Sequence, residues 1–409
     1  MDDSEVLTTD LGEEAAANLS LPSLRDVRVL MVGVTGFCVF LNVYATQTLL
    51  PLFTRIFHAT KFQVSLTVSA TTVGIALAAP FFGLVGERFG RRRTMAASVS
   101  LLTIPVLLAA TSSSLQMLIA WRFLQGLIMP GIIAVTLAYI SEEWSEGGAA
   151  SVMAAYVAGN VLGGVTGRFL SGVVADHFGW RMSFVLLGSM NAVGAAAVWR
   201  WLPEARLHVH GAKFAAALRG MATQLRRPVM LATFAVGFTS LFSLVATFTY
   251  ITFYLSAEPF RLGTTALGSL FMIYLVGVVV TPVCGKWIER IGHRASLIAA
   301  ALAAAGGVAL TLWPSMFAVL TGLALCSSGV FVCQSAAASY LGHVAGNARS
   351  SAAGLYTTFY YIGGTAGASV PAFAWHLGAW PACVALIVGV LVLDAGIALV
   401  TWRGGKMTR

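Results

Sequence analysis

Three ionisable residues, Arg122, Arg168 and Asp394, lie inside long apolar stretches of this sequence. A guanidinium near the middle of a bilayer costs about 2.5–3.5 kcal/mol on insertion scales, so a partner or a function should compensate for it. A carboxylate at that depth must be protonated or paired, and it could carry a proton. Each arginine should therefore have a fixed partner or a function, and Asp394 is a candidate for proton transfer or for a structural role. Arg168 lies nearer the end of its apolar stretch, so its long side chain could also extend to the surface.

Uncharged polar residues inside the apolar stretches form a second set of candidates. Such groups usually face the interior of a helix bundle, where they hydrogen-bond between helices or contact a substrate. Both interpretations stay open for Asn42. The complete set of candidate substrate or coupling residues is Asn42, Arg122, Gln125, Asn160, Arg168, Thr247, Gln334 and Tyr360.

The composition indicates that these residues belong to an integral membrane protein. The chain of 409 residues is 58% hydrophobic and only 10% charged, whereas a soluble domain carries roughly a quarter charged residues. A helix needs about 20 apolar residues to span a bilayer, and long continuous apolar runs argue against a β-barrel. We predict an all-α membrane protein with twelve transmembrane helices at 29–51, 62–84, 95–114, 115–140, 148–175, 181–202, 229–254, 264–286, 295–314, 315–340, 349–374 and 379–402.

A charged motif follows the second predicted helix and occurs again in the second half of the chain. Its matched residues share one offset, since 285 − 83 and 294 − 92 both equal 202. The motif residues are Gly83, Glu87, Arg88, Gly90, Arg91, Arg92, Gly285, Glu289, Arg290, Gly292 and Arg294. A requirement for positive charge alone would not explain the glycines, so the repetition indicates two copies of one six-helix unit.

Glycines in the fifth and eleventh predicted helices repeat in a similar way, with an offset of 200 between Tyr156 and Tyr356 (356 − 156). Glycines four residues apart form one smooth helix face, which permits close packing against a second helix. The candidate packing residues are Gly159, Gly163, Gly164, Gly167, Gly363, Gly364 and Gly367.

The repeat divides the chain into two bundles with a linker between them. The predicted segments are an acidic disordered tail at 1–28, six helices within 29–202, an amphipathic linker at 203–228, six helices within 229–402 and a short tail at 403–409. Lys and Arg concentrate in the segments on one side. That side holds nineteen of the 25, against four in the opposite loops and two inside helices (25 − 4 − 2 = 19). By the positive-inside rule, both termini are predicted to be cytoplasmic.

Other classes of function find no support in the sequence. The seven histidines avoid the centres of the predicted helices, so the sequence has no histidines placed to bind haem or copper within the bundle. No Gly-x-x-x-x-Gly-Lys-Ser/Thr motif occurs, which argues against ATP-driven transport by this chain. The five cysteines form no C-x-x-C pair, and the net charge of +9 lies in short loops and not on a nucleic-acid-binding face. We expect no enzyme activity, cofactor, metal or nucleic-acid partner.

The motif Gly83-x-x-x-Glu87-Arg88-x-Gly90-Arg91-Arg92 resembles the loop 2–3 signature of the major facilitator superfamily, with Glu87 where most members have Asp. Arg122-Phe-Leu-Gln125-Gly126 is similar to that family's Arg-x-x-x-Gly motif. The glycines of the fifth helix resemble the motif of its antiporters, although Gly164 replaces a usual Pro and Arg168 a frequent Gly. The whole chain after residue 28 looks most similar to the branch of bacterial inner-membrane permeases that includes YnfM and the arabinose-efflux-like proteins.

The resemblance implies secondary transport by alternating access, with a substrate site between the two halves that the first, fourth, seventh and tenth helices line. It favours proton-coupled efflux of a small organic solute, with import or uncoupled diffusion of a sugar or organic acid as the alternative. It implies a proton or substrate role for Arg122 and a peripheral, structural position for Asp394. The charged motifs would act as cytoplasmic latches, with Glu142 and Glu143 as partners for their arginines. We expect a monomer in the bacterial inner membrane.

Overall fold

The computed structural model describes residues 26–144, 148–204, 214–277, 280, 290–345 and 349–402, with the backbone alone at 83–84, 214–219 and 349–350. All regular secondary structure in these ranges is helical. The helices before residue 205 are α1 (Val27–Val43), α2 (Leu50–Ile56), α3 (Lys61–Phe89), α4 (Arg91–Ala109), α5 (Leu115–Ile128), α6 (Pro130–Glu143), α7 (Ala149–Phe178) and α8 (Trp180–Trp201). Those that follow are α9 (Phe214–Leu225), α10 (Pro228–Ser256), α11 (Thr264–Ser269), α12 (His293–Leu310), α13 (Met316–Val344), α14 (Arg349–Ser369) and α15 (Pro371–Thr401).

The helices have the length and composition of membrane spans. In the described part of the chain, ten segments are long and apolar enough to cross a bilayer. Two of the twelve predicted spans are not among these ten segments. The helix α14, of 21 residues, covers most of 349–374, and a shorter apolar segment, Thr264–Gly277, begins the predicted span 264–286. The prediction of an all-helical membrane fold is confirmed.

Three predicted spans are interrupted, which the apolar pattern did not indicate. The first is broken by a 3₁₀ turn at Ala45–Leu49 between α1 and α2. The fourth divides into α5 and α6 at Pro130, whose ring nitrogen has no hydrogen to donate to the preceding turn. The eleventh breaks between α14, which ends at Ser369, and α15, which begins at Pro371, whereas the non-helical backbone of α15 at Gly378 and Ala379 falls at the predicted start of the twelfth span, 379.

The helix α7 packs directly against the backbone of α1. A Cβ at Gly159, Gly163 or Gly167 would collide with the carbonyl oxygens of Gly33, Phe37 and Leu41, respectively. The absence of these side chains lets the two helices approach until their backbones touch. Gly164 lies on the adjacent face, where a Cβ would approach the guanidinium of Arg168 at 3.1 Å.

The same crossing occurs between α14 and α10 in the second half. A Cβ at Gly363 or Gly367 would collide with the carbonyl oxygens of Phe238 and Phe242, while one at Gly364 would lie 2.8 Å from the side chain of Leu241. The offsets between the two crossings are 200 for the glycines (363 − 163) and 201 for their partners (238 − 37). The packing therefore follows the sequence repeat.

The glycine before α4 and the one before α12 adopt a backbone conformation that side chains rarely adopt. Gly90 has φ of 88° and Gly292 has φ of 85°. Only glycine enters this region without steric strain. At Gly90 this turn lies between two long helices, α3 and α4, so it places the arginines that follow Gly90 at the start of α4.

The two halves meet at one end of the bundle, where α3 begins at Lys61 and α10 ends at Ser256. We call this the closed end, and we call the opposite end, where α4 begins at Arg91, the basic end. Among described residues, the hydrogen bonds between the halves are Ser69 with Ser369 and Thr365, Thr72 with Thr365, Gln47 with Thr249, and Thr265 with Asp176. All five lie toward the closed end, and no charged pair is among them. The halves are thus joined on one side by polar contacts that can separate without breaking an ion pair.

Part of the predicted linker forms α9, which begins at Phe214 and ends at Leu225. A Cβ at Gly220 would lie 2.8 Å from Oγ of Ser351, so α9 packs against α14. Residues 205–213 of the linker, 1–25 of the first predicted tail and the second tail at 403–409 lie outside the described residues.

Candidate functional site

Arg122 is fully buried and donates hydrogen bonds to four acceptors. Nη1 donates to the carbonyl oxygen of Asn42 at 2.8 Å and to Oε1 of Gln125. Nη2 donates to the carbonyl oxygen of Val43, and Nε donates to that of Thr67 at 3.1 Å. The last carbonyl groups of a helix have no partner within it, and a cation there interacts favourably with the helix dipole. Arg122 therefore caps α1 at the interruption of the first span.

The neighbours of Arg122 also hydrogen-bond between helices of the first half. Asn42 donates to Oδ1 of Asn191 on α8 at 3.3 Å. Asn191 donates in turn to the carbonyl oxygen of Val99 on α4 at 2.8 Å, and Gln125 donates to that of Pro105 at 2.9 Å. All of these side chains are buried within one half. This arrangement favours the interhelical interpretation of Asn42 and supplies Arg122 with fixed partners.

Arg168 lies at the boundary between the two halves. Its side chain is only 4% exposed, so the expectation that it could extend to the surface is wrong. Its Nε donates to Oε1 of Gln47 at 2.8 Å, and its Nη1 donates to the carbonyl oxygen of Gly164 at 2.8 Å. Gln47 donates to Oγ1 of Thr249 in the second half at 2.9 Å. Arg168 is thus connected to the polar contacts that join the halves.

Three aromatic rings surround the Arg168 guanidinium. Its Cζ lies 4.8 Å from the ring centre of Tyr44, 4.7 Å from that of Phe271 and 5.2 Å from that of Tyr274. Tyr44 belongs to the first half, and the other two belong to the second. Cation–π contacts contribute about 0.5–2 kcal/mol each, with the larger values in desolvated sites. The rings therefore offset part of the cost of burying this charge.

Tyr360, a predicted site residue, lies in the same central region. It is partly buried on α14, and its ring centre is 5.6 Å from that of Tyr361. Tyr360 is also a neighbour of Tyr44 and Tyr274, and Tyr361 is a neighbour of Tyr44. The interface between the halves therefore contains one arginine among several tyrosines.

The other predicted polar residues lie elsewhere. Asn160 borders α1 at Gly36, and its Oδ1 has no hydrogen-bond partner among the described residues. Thr247 is fully buried and accepts a weak hydrogen bond from the thiol of Cys326, with an S···O distance of 3.8 Å. Gln334 is partly buried on α13. These residues do not join the Arg168 group in any contact that the structure shows.

Asp394 is fully buried on α15. Thr239 of α10 donates a hydrogen bond to its Oδ1 at 2.7 Å, while Oδ2 has no partner among the described residues. Of the carboxylates in the described ranges, it alone combines full burial with the absence of an ion pair. Asp394 thus connects two helices of the second half.

The described side chains of the first charged motif form ion pairs and hydrogen bonds within the first half. Nη2 of Arg91 lies 2.7 Å from Oε1 of Glu142 and 3.8 Å from that of Glu87. Arg92 donates to the carbonyl oxygen of Trp199 at 2.8 Å, and Nη1 of Arg28 lies 3.0 Å from Glu143. Glu142 thus pairs with a motif arginine as expected, whereas Glu143 pairs with Arg28 at the start of the first helix. Arg88 and Gly90 are described in full, whereas only the backbone conformation is described at Gly83.

The second copy of this motif is described only in part. Arg290, Gly292 and Arg294 fall within the described ranges, whereas Gly285 and Glu289 lie outside them. Only the turn at Gly292 can therefore be compared with the first copy, and it has the same backbone conformation as Gly90.

Sequence reasoning did not select Phe271, Tyr274 or Tyr361 as site residues. Each lies in an apolar stretch, where an aromatic residue is ordinarily part of the core. Tyr44 and Gln47 were not selected either, although they are polar residues in the predicted first span, as Asn42 is. The contact between Arg168 and the eighth predicted span had no signal in the sequence, because it depends on how the two halves dock.

Comparison with known proteins agrees with this fold. A family model described as Major Facilitator Superfamily matches residues 32–368. The chain is 30% identical over 372 residues to an uncharacterized transporter of Buchnera aphidicola, with 91% of this chain and 90% of the relative covered. It is also 30% identical over 360 residues to the inner membrane transport protein YnfM of Escherichia coli, with coverage of 88% and 86%.

A solved structure with the same fold is that of a bacterial homolog of the human lysosomal transporter Spinster in an inward-facing, occupied conformation. Its TM-score is 0.75 at 14% sequence identity, and the alignment covers 92% of this chain and 96% of that one.

Proposed function

Because this chain belongs to the major facilitator superfamily, we propose that it is a secondary transporter that moves a small organic solute across the bacterial inner membrane by alternating access. The observation that carries this proposal is the contact between the halves at the closed end. A transporter of this kind needs an interface that is sealed on one side of the substrate and that can open there when the other side seals. The five polar hydrogen bonds of the closed end meet this need.

We propose that the basic end faces the cytoplasm. Arg88, Arg91, Arg92 and Arg93 lie there, and cytoplasmic loops carry an excess of such residues. With this orientation, the closed end seals the halves toward the periplasm, as an inward-facing state requires. Arg168 then lies at the level of this seal, because its Nε donates to Gln47, which in turn donates to Thr249 of the second half.

The first charged motif is proposed to act as a latch at the basic end. In the present conformation Arg91 pairs with Glu142 and Glu87 within the first half. When the basic end closes, these charges would face the matching motif of the second half, and the change of partners would separate the two states energetically. This proposal extends to Gly83, Gly285 and Glu289 by sequence alone.

The finer proposal is efflux in exchange for protons. Its support is the similarity of the α7 glycines to the antiporter motif, from which Gly164 and Arg168 depart. An importer or an uncoupled facilitator of a sugar or organic acid is the alternative. We propose a monomeric unit, because the substrate region lies between the two halves of a single chain.

The test is solute flux in proteoliposomes that contain the purified full-length chain and a pH-sensitive dye in the lumen. The solutes are a panel of organic acids, sugars and lipophilic amines, and liposomes without protein are the control. We expect solute-dependent flux together with opposite proton movement. Flux without proton movement would contradict proton exchange and indicate an uncoupled facilitator. The absence of flux for every class, with correctly folded protein in the bilayer, would contradict transport itself.

A further inference from the structure

We propose that the substrate of this site is a small aromatic carboxylate, and that Arg168 binds its carboxylate group. This inference rests on the proposed transport function and specifies its substrate class. It follows from the position of Arg168, from the hydrogen-bonding capacity that its side chain retains, from the absence of a counter-charge beside it among the described residues, and from the rings that surround it.

The Arg168 side chain retains unused hydrogen-bonding capacity. Nε and Nη1 donate to Gln47 and to the carbonyl oxygen of Gly164, but Nη2 donates to no described group. Arg122 differs in this respect, because all three of its side-chain nitrogens donate to protein acceptors. A guanidinium matches a carboxylate well, since two adjacent N–H groups can bind its two oxygens. Arg168 is therefore the buried arginine that remains able to bind a ligand.

No carboxylate neutralises Arg168 in the described part of the protein. The titratable side chains that its guanidinium contacts are those of Tyr44 and Tyr274. The nearest acidic residue along α7 is Asp176, eight positions away (176 − 168), which is about 12 Å along a helix. Asp176 is also exposed and accepts a hydrogen bond from Thr265. A buried cation without a counter-ion favours the binding of an anion, because the anion then replaces the water that the charge has lost.

Tyrosine hydroxyls beside Arg168 could donate further hydrogen bonds to an anion. Tyr44 and Tyr274, whose rings contact the guanidinium, are each 6% exposed, and neither hydroxyl hydrogen-bonds to a described group. Such hydroxyls can donate to a carboxylate and so orient it beside Arg168.

The aromatic character of the substrate follows from the walls of the site. Phe271, Tyr274 and Tyr44 are grouped around the guanidinium, and these rings come from both halves. Aromatic pairs contribute about 0.5–1.5 kcal/mol beyond area burial when they are offset or edge-to-face. A planar apolar body next to the carboxylate would therefore find complementary surfaces from both halves.

A purely structural role for Arg168 makes a different prediction, because the same contacts could simply hold the closed end together. The exchange of Tyr274→Phe separates the two roles. It keeps the ring that contacts the guanidinium but removes the hydroxyl that would donate to an anion. A structural clamp would tolerate this change, whereas an anion site would lose affinity.

The experiment measures benzoate and its neutral analogue benzamide with the full-length protein. Binding is followed in detergent by ligand-dependent stabilisation against thermal unfolding, and transport is followed by radiolabelled flux in proteoliposomes. The variants are Arg168→Gln, Arg168→Lys and Tyr274→Phe. Arg181→Gln is the matched control, because Arg181 also lies over an aromatic ring, that of Trp180 at 4.5 Å, but outside this site.

We expect wild-type protein and Arg181→Gln to bind and move benzoate in preference to benzamide. Loss of a hydrogen bond to a charged group should lower benzoate affinity about 10- to 100-fold in Arg168→Gln, with a smaller loss in Arg168→Lys and Tyr274→Phe. Unchanged benzoate affinity in folded Arg168→Gln would overturn the inference. So would wild-type protein that moves neutral solutes but neither binds nor moves benzoate, although that result would leave transport itself supported.

Discussion

The exchange of Arg122→Met tests whether this arginine is a helix cap or part of the transport chemistry. Methionine fills a similar length of space but donates no hydrogen bond. The substitution removes one donor each from the carbonyl oxygens of Asn42, Val43 and Thr67 and from the side-chain oxygen of Gln125. The oxygen of Asn42 keeps the backbone N–H of Tyr44, and that of Thr67 keeps the hydroxyl of Thr71. The cap interpretation predicts that the loss appears mainly in the stability of the first half.

The magnitude follows from the four lost hydrogen bonds. Hydrogen bonds between membrane helices average about 0.6 kcal/mol, which gives about 2.4 kcal/mol for four. Buried acceptors that remain unsatisfied cost more, about 1–3 kcal/mol each. The release of a buried charge offsets part of this loss. We therefore expect the free energy of unfolding to fall by at least about 2 kcal/mol.

The assay is reversible unfolding of the purified protein in mixed micelles by titration with a denaturing detergent, together with solute flux at equal protein density. Arg122→Lys should show an intermediate loss, because one ammonium reaches fewer acceptors than a guanidinium. Arg55→Met is the matched control, since Arg55 is exposed. If Arg122→Met unfolds like the wild type but transports nothing, Arg122 acts on the substrate or on protons, and the cap interpretation is refuted.

Three further substitutions test other parts of the molecule. Gly163→Ala should lower stability by about 1–3 kcal/mol, because its Cβ meets the backbone of α1; Gly389→Ala, where nothing lies within 4 Å, is the control, and equal stability of both variants would contradict close packing. Glu87→Ala should leave membrane insertion intact and slow turnover, because Arg91 keeps Glu142 but loses a motif carboxylate; unchanged flux at equal expression would refute the latch. Asp394→Asn should retain flux and proton movement, because the amide oxygen can still accept from Thr239; retained flux with lost proton movement would instead identify Asp394 as the proton carrier.

Sequence reasoning reached the fold because its signals are local or periodic. The apolar runs, the repeated charged motif and the glycine spacing each follow from residues a few positions apart, and they required no knowledge of the docked halves. The turn at Gly90 and its counterpart at Gly292 are examples, since both were identified from the motif and both have positive φ.

The site was less accessible to sequence reasoning because it depends on long-range docking. Hydropathy could not indicate that the first span breaks after Val43, and this break creates the acceptors for Arg122. Periodicity placed Arg168 on a helix face, but only packing shows that Phe271 and Tyr274 of the other half cover it. Alternating access requires two different arrangements of the two halves, and a sequence pattern describes neither arrangement.

The most direct test of alternating access is a reversible cross-link across the closed end. The hydroxyl oxygens of Ser69 and Ser369 are 2.7 Å apart, so cysteines at these positions should form a disulfide, with a bond length of about 2.0 Å, after a small shift. Ser69→Cys and Ser369→Cys are combined in a chain whose five native cysteines are replaced, and flux is measured in proteoliposomes before oxidation, after oxidation and after reduction. Ser69→Cys alone is the control. We expect oxidation to abolish flux in the double variant and reduction to restore it, because the closed end must separate in every transport cycle. Full flux through completely cross-linked protein would contradict the mechanism.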